Sequence, residues 1–414
     1  MKKFASLTVD LRANALLACS AAVLLTASGI ASAAVISTTP TVSETEVVAA
    51  ALADNATRLV VPAATTPSIY NLYVATTGSD SNPGTAAKPF KTITRAAALA
   101  KPGTTVHVAP GTYNGNVTTS VSGTASARIR YVSDTKWGAK IIGTGTEFMW
   151  TNRGNYTDIV GFDITGPGRE GIINLASYTL IQGNHVHNLA VSGGCTGGGG
   201  AGINNADYTK SDGDIIGNVV HDIGTPGKCN AVQGIYSANL RGHIFNNVVY
   251  RASSWGIHLW HAADQVVIAN NTVFANGSAS MGGGIVIGVG DAPGGKFLTN
   301  TKVVNNIVYN NPYHGIHQGC DAGRQCMGSG NVIANNLVIG SSTPITKGVV
   351  AATNTIAANP LFVNYLATGG GDYRLKVTSP AVNKGQVSYA PTTDIDGIAR
   401  PRGGAFDLGA YENY

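Results

Sequence analysis

The stretch IANNTV, residues 268–273, is one copy of a pattern that recurs through the middle of the chain. IQGNHV begins at Ile181, IIGNVV at Ile215, IFNNVV at Ile244, VVNNIV at Val303 and IANNLV at Ile333. Each copy holds an aliphatic residue, two variable positions, Asn, one variable position and Val. The Asn falls at 184, 218, 247, 271, 306 and 336, so the period drifts between 24 and 35 residues. A Gly-Ile pair alternates with it, beginning at Gly171, Gly202, Gly234, Gly256, Gly284 and Gly315. Two short β-branched stretches per period, with Gly and Asn at the corners, predict a solenoid. Leucine-rich repeats need Leu at fixed offsets, and a propeller needs four strands in a longer blade. The spacing therefore predicts an all-β fold, a right-handed parallel β-helix.

In such a stack no coil buries its own apolar face; neighbours do it for one another. Ile203, Ile235, Ile257, Ile285 and Ile316 are expected to form one internal ladder. Val186, Val220, Val249, Val273, Val308 and Val338 form another. Stiff β-branched side chains suit these positions. The repeated Asn is expected to turn the chain in the left-handed region, which Asn tolerates. Its amide is also expected to hydrogen-bond from coil to coil, so the Asn series reads as structural.

Composition fits this architecture. The 414 residues include 53 Gly and only 12% charged residues, which disfavours a helical protein. A net charge of +5 without a run of Lys or Arg argues against nucleic acid as partner. Residues 1–33 read as an export signal: a basic start, an apolar stretch and Ala-Ser-Ala before the cut. No later segment is long and apolar enough to span a membrane. Residues 34–69 read as a low-complexity leader, 70–360 as the β-helix and 361–414 as a cap over its far end. Within the first coils, residues 88–103 show helical apolar spacing and are expected to plug the near end with a short helix. Cys195, Cys229, Cys320 and Cys326 remain after the cut, an even number in an exported chain. Pairing neighbours in sequence gives Cys195–Cys229 and Cys320–Cys326.

Residues 73–113, YVATTGSDSNPGTAAKPFKTITRAAALAKPGTTVHVAPGTY, resemble the opening of secreted pectate-lyase-like β-helix proteins, family 9 of the polysaccharide lyases above all. The tail DIDGIARPRGGAFDLGAYE, residues 394–412, is similar to the end of bacterial β-helix proteins with a choice-of-anchor module. The resemblance implies the fold and an acidic polysaccharide as partner. Family 9 lyases hold calcium with an aspartate cluster that includes an adjacent pair, and use a lysine base. This chain has no Asp-Asp pair, so no catalytic residue carries over.

Candidate residues come instead from strand alternation. If Ile257 points inward, His258 and Trp260 point out. The same offset in other coils gives Asn204, Tyr236, Val286 and His317. With coils about 4.8 Å apart, Tyr236 and His258 become neighbours and His317 lies about 10 Å further on. Abstraction of the proton beside a uronate carboxylate, with expulsion of the β oxygen, needs a base, an acid and a group to steady the enolate-like charge. His258, Tyr236 and His317 are the catalytic candidates. Trp260, Asn204, His261 and Lys210 are the candidate substrate contacts. Asp207, Asp212 and Asp214 cluster at a spacing that can hold Ca2+. A glycoside hydrolase would need two facing carboxylic acids, and the ladder around Ile257 supplies none. The expected function is a secreted, monomeric polysaccharide lyase. A uronate C5-epimerase and a non-catalytic glycan-binding surface protein are the alternatives.

Overall fold

The computed structural model describes residues 70–413, apart from 146–147, 192, 291–296 and 321–324. The expected export signal and leader lie outside the described residues. Three parallel sheets of 11, 9 and 9 strands run along the stack. Each full coil gives one strand to each sheet in turn. Val267–Ala269, for example, joins the first sheet, Thr272–Phe274 the second and Gly283–Val289 the third. The fold is the expected right-handed parallel β-helix.

Both apolar ladders are in place. Ile203, Ile235, Ile257, Ile285 and Ile316 align in register on the third sheet, and all are fully buried. Val186, Val220, Val249, Val273, Val308 and Val338 do the same on the second. Burying one such side chain contributes roughly 1.5–3 kcal/mol, so the stack is held mainly by these columns.

The Asn series does what was expected in one respect and not in the other. Asn184 Nδ2 donates to Asn218 Oδ1 at 3.1 Å, and the chain of amides continues through Asn247, Asn271 and Asn306 to Asn336. Each receiving Oδ1 also accepts the backbone N–H of the Asn before it. The left-handed residue, however, is the one preceding each of these: Gly183, Gly217, Asn246, Asn270, Asn305 and Asn335. A residue whose amide must point into the stack cannot also supply the turn, so the two tasks fall to adjacent positions.

The near end carries the expected helix, shorter than its spacing suggested, at Ile93–Leu99. Thr92 caps it by accepting from the Arg95 N–H at 3.1 Å. Ile93, Ala96 and Ala97 bury beside Phe90 and the first strands. The tail differs from expectation. Rather than only closing the far end, it lies along the outer face of the second sheet. Phe362, Tyr373, Leu375, Leu408 and Ala410 pack there on Val248, Tyr250, Phe274, Ile307 and Leu337. The left-handed asparagines hold it: Asn246, Asn270, Asn305 and Asn335 donate to the carbonyls of Thr393, Asp407, Gln386 and Lys384. Among the described residues no helix is long and apolar enough to cross a membrane.

Candidate functional site

On the third sheet the residue after each buried Ile faces outward. Asn204, Tyr236, His258, Val286 and His317 stand in register on successive coils. A groove of about 320 Å³ lies over the first three. Residues 198–200 and Asn230–Ala231, in the loops entering these strands, form one wall. Tyr208 and His261, in the turns leaving them, stand opposite. The Cys195–Cys229 disulfide ties the two entry loops together, and Cys320–Cys326 closes a shorter loop beyond the groove. Both pairings match the expectation.

His258 is only 9% exposed. Its ring meets Tyr236 edge-on at 5.1 Å and Trp260 at 5.4 Å, with Trp255 at 6.2 Å. Its Nδ1 meets no hydrogen-bond partner among the described residues. Burial, helped by His261 and His317, pushes its pKa down to about 3. The ring is therefore neutral over the physiological range. Tyr236 is half-buried on the groove floor, and His261 lies 6.1 Å from it and 4.3 Å from Tyr208, ring to ring.

The other predicted residues lie elsewhere. His317 is separated from His258 by the Val286 rung. It stacks on Trp255 at 5.5 Å and His314 at 4.6 Å, outside the groove lining, and burial holds it at about 4. Trp260 lies flat on a glycine patch. A Cβ at Gly290 or Gly288 would come within 2.0 or 2.8 Å of the indole, so glycine there makes room for the ring. Lys210 sits past the groove beside Asp207; burial raises that carboxyl, but the Thr209 hydrogen bonds, with Lys210 behind them, outweigh it and hold it low.

The three aspartates proposed for calcium do not converge. Asp207 Oδ1 accepts from the Thr209 N–H and hydroxyl. Asp212 pairs with Arg241 at 3.0 Å. Asp214, on the first sheet, accepts from the backbone N–H of His243 at 3.0 Å and lies 2.9 Å from its Nδ1. Hard cations need several free oxygens around one point, and these carboxylates are committed separately. The donor set does not fit calcium.

Glu170 and Tyr208 line the groove without having been candidates from the sequence, as do Asn230 and Gln233. Glu170 is buried, accepting from the Ala201 N–H at 3.0 Å and from Asn204 Nδ2 at 3.1 Å. It stands one residue before the Gly171-Ile172 pair, off the offset that gave the outward candidates, and its carboxylate corrects the expectation that this face carries none. Tyr208 comes from an irregular turn with no repeat signal. Replacing Cys195 and Cys229 by serine is expected to lower stability by about 2–4 kcal/mol. It is also expected to expose the entry loops to protease; denaturation midpoints and limited proteolysis check both.

The stack and its lateral groove define a pectate-lyase-like β-helix. Residues 72–339 match the family model described as Pel9A-like, right handed beta helix region, and the chain belongs to that family. Pectate lyase L of Dickeya chrysanthemi is 25% identical over 304 residues, 67% of this chain and 68% of that protein. The crystal structure of pectate lyase Pel9A aligns over 84% of this chain and 98% of its own, with a TM-score of 0.55 and 19% identity. That likeness is one of fold.

Proposed function

We propose that the protein is an exported polysaccharide lyase that cleaves a uronate-containing glycan by β-elimination in this groove. The observation that carries the reading is the register that sets Asn204, Tyr236 and His258 on one floor, with the last two rings 5.1 Å apart. In β-elimination a base removes the proton on the carbon bearing the carboxylate. The C–H electron pair becomes the new C=C bond, the bond to the β oxygen breaks, and that oxygen takes up a proton. Neutral His258 is the base in this reading, and the Tyr236 phenol protonates the leaving oxygen. A substrate carboxylate seated over the imidazole raises its proton affinity from the low value that burial imposes. Asn204, oriented by Glu170, and His261 bind the sugar carboxylate and steady the enolate-like charge. Trp260, His317 and Lys210 lie where flanking sugars of a longer chain would pass. The two disulfides suit an oxidising compartment outside the cytoplasm.

A uronate C5-epimerase is the second reading. Tyr236 and His258 are two proton-carrying groups on one floor, and inversion needs one to remove a proton and another to return it. Incubation with a panel of uronate polymers in deuterated buffer separates the two. The lyase produces the ultraviolet absorbance of a C=C bond conjugated to the carboxylate. The epimerase exchanges deuterium into the polymer without that absorbance. Polymer retention with neither signal marks a glycan-binding protein and ends the lyase reading. Tyr236→Phe keeps the ring and removes the O–H; it is expected to lower kcat by roughly 10²–10³-fold with KM little changed, in steady-state kinetics on the cleaved polymer.

A further inference from the structure

On the second sheet, a different face of the stack from the one that carries the groove, three histidines point outward together. His187 and His221 are register partners on adjacent coils, and His185 lies two residues before His187 on the same face. One ring nitrogen of each lies within 4.8 Å of the others. His185 Nε2 and His221 Nε2 are 2.8 Å apart, so one proton lies between two imidazoles. Carboxylates hold the outer nitrogens. Asp163 Oδ1 sits 2.6 Å from His187 Nε2 and 3.6 Å from His185 Nδ1. Asp222 Oδ2 sits 2.6 Å from His221 Nδ1. Each aspartate has a cation behind it, Lys140 at 3.3 Å and Arg251 at 2.5 Å.

We propose that His185, His187 and His221 form a binding site for a divalent transition-metal ion of the zinc and copper class. Three imidazoles suit such ions, whereas calcium and magnesium take oxygen. A carboxylate behind a ligating histidine fixes its tautomer and raises its basicity. The Asp222 contact leaves His221 Nε2 as a lone-pair donor. The ion takes the place of the proton between His185 and His221, and the proton leaves to solvent or moves to His185 Nδ1, toward Asp163. A tetrahedral ion with bonds near 2.0–2.1 Å sets its nitrogen ligands about 3.3 Å apart. Small ring rotations reach that spacing. The side chains of the three rings are 21%, 14% and 14% exposed, which leaves an open side for water as the fourth ligand. Simple aromatic packing accounts for the stacking of His221 on Tyr250 at 4.5 Å. It does not account for two carboxylates aimed at the outer nitrogens.

The test is titration of the untagged, chelator-treated full chain with Zn2+ by calorimetry, and with Co2+ by visible absorption, without substrate. One Zn2+ per chain and the strong visible bands of tetrahedral Co2+ are expected. His185→Gln and His221→Gln should each weaken Zn2+ binding at least tenfold. Asp222→Asn should weaken it by about 10–100-fold, with unchanged circular dichroism. His317→Gln, beside the other histidine cluster, should leave it unchanged. No binding by the native chain overturns the proposal. So does binding that survives in His185→Gln and His221→Gln, or is lost in His317→Gln. If either glutamine variant fails to fold, Asp222→Asn and the Co2+ spectrum of the native chain decide.

Discussion

His258→Ala is expected to lower formation of unsaturated product by at least about 10²–10⁴-fold, the range for loss of a positioned proton-transfer group. The coils should survive, because the Ile257 and Leu259 side chains that hold this rung face inward and stay buried. The variant leaves a cavity against Trp255, Trp260 and Tyr236 and should lose on the order of 2 kcal/mol at neutral pH. Its acid behaviour should improve. The folded imidazole protonates only at about 3, against 6.5 for the solvated imidazole of an unfolded chain. Below pH 6.5 the unfolded state therefore binds the proton first. Stability is complete above that value and declines as pH falls toward 3, by up to several kcal/mol. His317, held at about 4, adds a decline of the same sign. The alanine variant lacks the His258 contribution, so its stability should fall less steeply between pH 6.5 and 3. Denaturation midpoints across that range check the slope; an active variant removes His258 from the mechanism.

Asn247→Ala is expected to cost on the order of 3–5 kcal/mol. Asn247 Oδ1 accepts from both the backbone N–H and Nδ2 of Asn218, at 2.9 and 3.0 Å. Its Nδ2 donates to the Ile215 carbonyl at 2.9 Å and to Asn271 Oδ1 at 3.0 Å. Truncation leaves the Asn218 N–H and the Ile215 carbonyl without these partners at a fully buried position. Each orphaned buried group costs roughly 1–3 kcal/mol. Repeat stability depends on nearest-neighbour contacts, so a break at one rung weakens the coupling of the coils on either side. Urea denaturation of the variant against the native chain measures the loss. A change under about 1 kcal/mol would mean that water replaces the amide.

The repeat was legible because its cause is local and periodic. Ile257 and Val273 each recur at one offset per coil, and the same alternation that buries Ile257 turns His258 and Tyr236 outward together. What was not legible depends on packing between segments far apart in sequence. Trp260 reads as an exposed platform until Gly288 and Gly290 are seen beneath it. His317 has the right offset, but Trp255 and His314 draw it into another cluster. Asp207, Asp212 and Asp214 sit close in sequence, yet the turn at Asp212, with φ 62°, and the change of sheet send them to separate partners. Glu170 joined the groove through a hydrogen bond to Asn204, 34 positions away, which no short pattern announces. The tail lost the repeat signal, and its destination depended on asparagines that look like ordinary turn residues.

The path of that tail bears on how the molecule is made. The coils can assemble one after another along the chain, each using the last as a template. The aromatic strip at Tyr250 and Phe274 nevertheless stays wet until residues 361–413 arrive to cover it. A polypeptide released early would present that strip as a sticky seam, so the late strap works as a seal on finished molecules.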